Sequence, residues 1–137
     1  MERTELLHEE LTAKIRDAFY HVYNSMGPGF AEKVYENALA LTLRKQGFEV
    51  RQRIHIKVYF EGEVVGTYEA DVMVNDVVII EAKTVSKLIS EHEAQLFNYL
   101  HATEIEVGLL LNFGPRPEYK RRVVSNANKR HLSGMLN

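Results

Sequence analysis

The stretch that most constrains this chain begins at Asp71 and ends at Lys83, with the sequence D-V-M-V-N-D-V-V-I-I-E-A-K. Val, Ile and Met fill both halves around Asn75 and Asp76. This pattern is typical of two strands that are buried on both faces and joined by a tight turn. The stretch therefore predicts a buried β-hairpin.

Three charged side chains stand out in this predicted hairpin. Asp71 lies on the first strand, and Glu81 and Lys83 lie at the end of the second. Burying an unpaired ion is costly, so these charges need a reason. Because side chains alternate along a strand, Glu81 and Lys83 share one face and Ala82 points to the other. Two interpretations stay open here: a metal site with a catalytic lysine, or a structural ion pair between Glu81 and Lys83.

The composition favours one ordinary globular unit. The chain has 137 residues, of which 45% are hydrophobic, and we expect residues 1–137 to form a single domain. Cysteine is absent, which excludes disulfides, thiolate zinc sites and cysteine nucleophiles, and the six histidines show no zinc-ligand spacing. The start has no apolar run like a signal peptide, and no run approaches the roughly 20 residues of a membrane helix. We therefore expect a cytoplasmic protein.

The charge is unevenly distributed although the net charge is only −2. Residues 116–130 contain a single acid, Glu118, and six basic residues: Arg116, Lys120, Arg121, Arg122, Lys129 and Arg130. Such a segment is either a basic face that binds phosphates or a solvated tail, and the sequence favours neither.

Periodicity predicts the order of the elements. Predicted helices cover residues 4–24, 31–46 and 91–102, and predicted strands cover 48–60, 64–74, 77–83, 105–113 and 121–125. The first strand should place on one face Val50, Gln52, Ile54, Ile56 and Val58. Ser90 should cap the third helix, with Glu93 completing a capping box, and the tail after Asn126 should be frayed.

The remaining polar residues favour metal-assisted phosphodiester hydrolysis. An HExxH zinc motif fails because Leu96 stands at its last position, and no GxSxG, GxGxxG or phosphate-binding loop is present. Asp71, Glu81 and one or both of Glu32 and Glu36 offer hard oxygen ligands, which suit Mg²⁺ or Mn²⁺. A lysine beside such a metal can orient or deprotonate a water and stabilise developing charge.

Three motifs resemble those of a known group of proteins. Asp71 followed by Glu81-Ala82-Lys83 resembles the signature of the PD-(D/E)XK nuclease superfamily. The segment Gly29-Phe-Ala-Glu32-Lys-Val-Tyr35 resembles the motif of its GxxExxY branch. The segment Gln95-Leu-Phe-Asn-Tyr99 resembles the QxxxY motif of its RecB-like and lambda-exonuclease-like members. The proline that commonly precedes the aspartate is missing, since Glu69-Ala70 stands there.

The resemblance implies a fold and a set of roles. It implies an α/β (α+β) restriction-endonuclease-like core, with a mixed sheet of about four to five strands in αβββαβ order flanked by helices. Asp71 and Glu81 would bind the metal with the Ala82 carbonyl. Glu32, or its rival Glu36, would contact the metal directly or through water.

In the same resemblance, Lys83 is the catalytic lysine, and Gln95 and Tyr99 position that lysine or a substrate phosphate. The implied activity is a Mg²⁺- or Mn²⁺-dependent nuclease acting on nucleic acid, with DNA favoured by analogy. Whether two copies pair as a homodimer stays open. The alternative is a catalytically silent module that keeps the fold and binds nucleic acid or a protein partner.

The two acids also predict the register of the hairpin. With a two-residue turn at Asn75-Asp76, Asp71 and Glu81 would point to opposite faces. A three-residue loop over 75–77, or a bulge, would instead place Asp71 opposite Glu81. A metal site therefore requires one of these two devices.

Overall fold

The computed structural model describes residues 7–130, which form three helices and five strands. The helices are α1 (Glu9–Met26), α2 (Glu32–Lys45) and α3 (Ser90–Ala102); the strands are β1 (Val50–Phe60), β2 (Glu63–Val74), β3 (Val78–Lys83), β4 (Val107–Asn112) and β5 (Glu118–Val123). Each predicted element is present within a few residues. The predicted start of the first helix at Thr4 lies outside the described residues, and α1 begins at Glu9, after His8 with its left-handed φ of 55°.

The five strands form one mixed sheet in the order β1-β2-β3-β4-β5. Only β3 and β4 are parallel; the other neighbours are antiparallel. A parallel pair needs a long crossover, and α3 supplies it. The sheet confirms the α+β fold class, with helices on both faces.

Each face of the sheet has its own hydrophobic core. One core joins α1 and α2 to the sheet through residues that include Phe19, Leu39, Ile80 and Leu109. The other joins α3 to the opposite face through Leu96, Leu100, Ile79 and Leu110. Ile79 and Ile80 lie in different cores because side chains alternate along β3. The same alternation carries Glu81 and Lys83 toward the α3 side and Ala82 into the α1–α2 core.

The predicted single face of β1 is wrong. Val50 packs in the first core, but Ile54 and Ile56 pack in the second. The regular ladder with β2 is interrupted between the pairs Gln52–Val72 and Ile54–Ala70. Arg53 lies at the interruption with a left-handed φ of 56°, which breaks the alternation.

Three further expectations, two at the start of α3 and one for the tail, are corrected. Ser90 is the first residue of α3 rather than its cap, and the backbone N–H of Ile89 donates to His92 Nδ1 at 3.0 Å. Glu93 makes no capping box because its carboxylate pairs with Arg122 and Lys120. The chain after Asn126 is ordered as far as Arg130, with a 3₁₀ turn at Asn126–Asn128. Residues 131–137 lie outside the described part.

No helix among residues 7–130 is long and apolar enough to span a membrane.

Candidate active site

A three-residue loop sets the register of the β2–β3 hairpin, as predicted. Val74 pairs with Val78, so the loop consists of residues 75–77. Asn75 and Asp76 adopt left-handed φ angles of 51° and 57°, which short polar side chains tolerate better than most. Continuing this register places Asp71 opposite Glu81.

Both carboxylates accept backbone hydrogen bonds across the β2–β3 pair, one from Ala82 and one from Asp71. The N–H of Ala82 donates to Asp71 Oδ2 at 2.9 Å, and the N–H of Asp71 donates to Glu81 Oε1 at 3.2 Å. Glu81 is only 2% exposed. These reciprocal bonds fix both acids on the same side of the sheet, so the predicted convergence of Asp71 and Glu81 is confirmed.

Burial raises the pKa of both carboxyls in the acid pair. Burial and then the nearby Asp71 carboxylate raise the pKa of Glu81 to about 9, although the backbone N–H of Asp71 and the charge of Lys83 act to lower it. Burial also raises the pKa of Asp71, against the bond from Ala82. A buried site that favours protons over free carboxylates is a site that a cation would stabilise. The two carboxylates are hard oxygen donors, which suit a hard divalent cation.

Lys83 belongs to a chain of hydrogen bonds that leads to α3. Its Nζ donates to Gln95 Oε1 at 2.7 Å, Gln95 Nε2 donates to Tyr99 Oη at 3.0 Å, and Tyr99 donates to the carbonyl of Glu69 at 3.0 Å. Burial raises the pKa of Tyr99 to about 12, so the phenol keeps its proton. Within residues 7–130 no ion pair joins Lys83 to Glu81. The structural ion-pair interpretation of these two residues is therefore wrong.

Glu32 and Glu36, both on α2, differ in their hydrogen bonding. Glu32 Oε2 accepts from the N–H of Thr84 at 3.3 Å. Glu36 is 6% exposed, and its Oε1 has no hydrogen-bond partner; the closest cation is Arg53 at 3.9 Å. Burial and the Asp71 charge raise the pKa of Glu36 to about 7.

Neither glutamate completes a ligand set of three carboxylates. Among residues 7–130 no group of three His, Cys, Asp or Glu side chains is close enough to hold a metal ion. The preformed part of the site is therefore the Asp71–Glu81 pair.

Two residues that support the site were not predicted from the sequence. Thr84 follows Lys83 and contacts Glu32. Asn112 is fully buried opposite Lys83 in β4, and it bonds the N–H and the carbonyl of Val85 at 3.0 and 2.8 Å. An amide ending the apolar run of β4 is the signal that could have revealed Asn112, because a buried amide must find partners.

The tyrosine of the segment 29–35 supports a loop. Tyr35 is fully buried, and its hydroxyl donates to the carbonyl of Gly27 at 2.5 Å and accepts from the N–H of Phe30 at 3.2 Å. Its ring stacks on Phe113 at 4.6 Å. Tyr35 thereby fixes the loop that leads into Glu32.

Neither alternative for residues 116–130, a basic face or a solvated tail, describes most of their cations. Arg122 and Lys120 pair with Glu93 at 2.6 and 3.4 Å, and Arg121 donates to the carbonyl of Leu7. Lys129 is 1% exposed. Of the six cations, only Arg116 and Arg130 are exposed. Most of the basic charge is used within the fold, because neighbouring elements supply its partners.

Comparison with known proteins agrees with this architecture. No curated protein sequence matches the chain. The alkaline exonuclease LHK-Exo from Laribacter hongkongensis superposes with a TM-score of 0.53 at 13% identity, over 98% of this chain and 77% of that one. The crystal structure of SSO0001 matches with a TM-score of 0.48 at 18% identity, over 90% and 74%. The family model of the PD-(D/E)XK nuclease superfamily matches residues 9–123, and the chain therefore belongs to that superfamily.

Proposed function

We propose that the protein is a Mg²⁺- or Mn²⁺-dependent nuclease that hydrolyses phosphodiester bonds in DNA. The observation that carries this proposal is the convergence of Asp71 and Glu81 on the face where Gln95 holds Lys83. Membership of a nuclease superfamily supports it, as does the fold shared with an alkaline exonuclease. Nucleases of this superfamily generally use divalent metals.

In this proposal Asp71, Glu81 and the carbonyl of Ala82 hold the cation, with Glu32 or Glu36 contributing through water. When bound, the cation supplies charge neutralisation at the phosphoryl oxygens and acidifies a water. Glu81 must then be ionised, so the cation replaces the proton that the metal-free site favours.

Lys83 orients the attacking water and stabilises the charge that develops on the phosphate. Gln95 accepts a hydrogen bond from its Nζ at 2.7 Å, and Tyr99 fixes which end of the Gln95 amide faces Lys83. Nζ can donate to substrate or water while one of its protons stays on Gln95. Gln95 and Tyr99 act as positioning residues.

The sequence motifs support a more specific assignment within the superfamily. We assign the chain to the GxxExxY branch on the segment from Gly29 to Tyr35. We propose that residues 1–137 form one domain that acts on DNA in the cytoplasm, alone or as a homodimer.

Plasmid nicking tests the proposal. Supercoiled plasmid is incubated with the protein in Mg²⁺, in Mn²⁺ and in EDTA, and a labelled RNA of matched length is tested in parallel. We expect nicking with the metals only, and its loss in Lys83→Ala. Lys57→Ala is the matched control, because Lys57 is an exposed strand lysine outside the site.

The result that would contradict the proposal is equally definite. If DNA binds but is not cut with either cation, and Asp71→Ala binds it equally well, the protein is the catalytically silent module instead. Faster cleavage of RNA than of DNA would keep the nuclease and overturn the substrate.

A further inference from the structure

A cleft of about 400 Å³ opens beside the acidic site, between the loop after α1 and the loop after β4. It is lined by Pro28, Gly29, Phe30, Thr84, Phe113, Gly114 and Pro115. Thr84 connects the cleft to the site, because its N–H donates to Glu32 Oε2 at 3.3 Å and its hydroxyl lies 3.5 Å from the same oxygen. A molecule in the cleft would therefore lie next to Glu32.

Prolines stiffen the walls of this cleft. The chain has three prolines, and all of them, Pro28, Pro115 and Pro117, lie in its two loops. Proline fixes φ and so reduces the freedom that the loops would lose on binding. The hydroxyl of Tyr23 also holds the second loop, because it lies 2.9 Å from the carbonyls of both Gly114 and Pro115.

The cleft also depends on a close approach of two loops. A Cβ at Gly114 would lie 1.9 Å from the carbonyl oxygen of Val85, so only glycine fits there. Asn112 Oδ1 bonds the N–H groups of both Val85 and Gly114, at 3.0 and 2.9 Å. The second wall is thus fastened to the segment that follows Lys83. We infer from these contacts that the cleft is preformed.

An exposed aromatic ring stands at this preformed cleft. Phe30 is 48% exposed, although it contacts the buried Tyr35 edge-on at a centroid distance of 6.0 Å. An exposed ring held by a fixed loop offers a flat surface on which a nucleobase can stack. Arg116 follows Pro115 and is exposed, and no carboxylate among residues 7–130 forms an ion pair with it. Its guanidinium suits the phosphate that accompanies such a base.

We propose that this cleft takes one unstacked nucleobase of the strand to be cut, with its ring on Phe30 and its phosphate near Arg116. This inference rests on the proposed nuclease function and names the substrate class of the same site. A base inside a duplex must first be unpaired and unstacked, at a cost in free energy, whereas a base in a single strand or a frayed end is already free to enter. The protein should therefore prefer single-stranded or frayed DNA.

Binding without cleavage tests the inference. A short labelled oligodeoxythymidine is titrated with the full chain in EDTA, and affinity is read by fluorescence anisotropy. The same oligonucleotide carrying one abasic site, placed at each position in turn, is titrated in parallel. Both series are repeated with Phe30→Ala, with Phe30→Trp, and with the control Leu41→Ala, which removes an apolar side chain of similar exposure (54%) on α2.

We expect Phe30→Ala to bind the intact oligonucleotide about 5- to 20-fold more weakly, the size of effect typical of one base–aromatic stack. At one abasic position the same substitution should change affinity less than about 2-fold, because base and ring then form a coupled pair. Phe30→Trp should retain affinity, Leu41→Ala should equal the wild type, and a duplex should show no dependence on Phe30.

Three results would overturn the inference. One is an equal loss for Phe30→Ala on intact and on every abasic oligonucleotide. Another is the absence of any loss. The third is tight binding of free dTMP that a bound oligonucleotide does not disturb, since this would show a site for mononucleotides. None of these titrations needs cleavage, so the failure of this inference and the failure of the proposed nuclease are seen separately.

Discussion

Two regions of this molecule bury charge, and they do so in opposite ways. Lys129 is 1% exposed, and its Nζ donates to the carbonyls of Thr103 and Ile105 at 2.9 and 2.7 Å. Burial lowers the pKa of Lys129 to about 8, against the favourable charges of Glu106 and Glu104. This ammonium finds its partners within the fold.

The Asp71–Glu81 pair has no such balance. Each acid accepts a backbone hydrogen bond, yet burial raises the pKa of both carboxyls, and burial together with the Asp71 charge raises that of Glu81 to about 9. A buried charge with internal partners stabilises one conformation, whereas a buried like-charged pair is suited to a ligand of opposite charge. The contrast separates a structural charge from a functional one, and each of the following experiments tests it.

The largest expected effect is on activity at the acid pair. Asp71→Asn should lower cleavage by at least about 100-fold, because a carboxylate ligand is lost. The same substitution removes the repulsion on Glu81, so in EDTA the protein should melt at the same temperature as the wild type or higher. Activity assays and thermal melts, with Asp76→Asn in the exposed turn as control, measure both. A lower melting temperature would mean that Asp71 is structural after all.

Removing the structural charge should have the reverse outcome. Lys129→Ala leaves two carbonyls and the surrounding pocket without a partner, and we expect a loss of about 2–4 kcal/mol in the free energy of unfolding. Cleavage per folded molecule should be unchanged. Urea unfolding and activity assays below the transition check this, with Arg130→Ala as the exposed neighbour. A large loss of activity in the folded variant would show that Lys129 has a role in cleavage and is not only structural.

The pH dependence of stability should have opposite signs at the two regions. A raised pKa in the folded state means that the unfolded state loses its proton first, so stability falls as pH rises. Without divalent cations we therefore expect stability to fall between pH 4.5 and 7 through Glu36, and on to about pH 9 through Glu81. The lowered pKa of Lys129 has the other sign and adds stability between about pH 8 and 10.5.

Variants assign these slopes to their residues. Urea titrations in EDTA at several pH values measure the free energy of unfolding. In Glu81→Gln it should fall less steeply as pH rises toward 9, and in Lys129→Met it should show no increase between about pH 8 and 10.5. Mn²⁺ should raise the melting temperature more at pH 8 than at pH 5, since the cation must displace protons. An equal rise at both pH values would be evidence that the cation binds elsewhere.

The smallest effect concerns a charge pair that is neither buried nor catalytic. Arg122 and Lys120 hold the pKa of Glu93 below its usual range, but these side chains are partly exposed. Glu93→Gln should change the free energy of unfolding by no more than about 1 kcal/mol. It frees two cations, so affinity for DNA should rise slightly and depend more steeply on salt. Binding measured over a salt series, with Glu91→Gln as control, would refute this if the two variants behave alike.

Much of the fold could be predicted because it depends on patterns within single elements. The apolar runs of β3 and β4, the spacing of α2, and Asn75 and Asp76 in the turn each encode local geometry. The need to bring Asp71 opposite Glu81 then favoured the three-residue loop that is present. The proximity of Gln95 to Lys83 followed from motif order, and the structure contains that contact.

The errors arose where packing between distant elements decides the outcome. The sequence left open whether the basic segment is a phosphate-binding face or a solvated tail, but Glu93 on α3 pairs with Arg122 and Lys120. The tail was predicted to be frayed, but its Lys129 donates hydrogen bonds to the carbonyls of Thr103 and Ile105. The spacing of apolar residues shows which face of one helix or strand is apolar. It does not show which other element that face will pack against.

The sequence by itself determined the element order, the α+β class and the acids and lysine of the candidate site, because strand alternation and helical spacing are local properties of the chain. Only the tertiary structure decided which charges are satisfied. It buried Glu36 without a hydrogen bond on Oε1, turned β1 at Arg53 from one core to the other, and opened the cleft beside Phe30. The physical reason is that desolvation and pairing depend on which surfaces meet, and those surfaces are far apart along the chain.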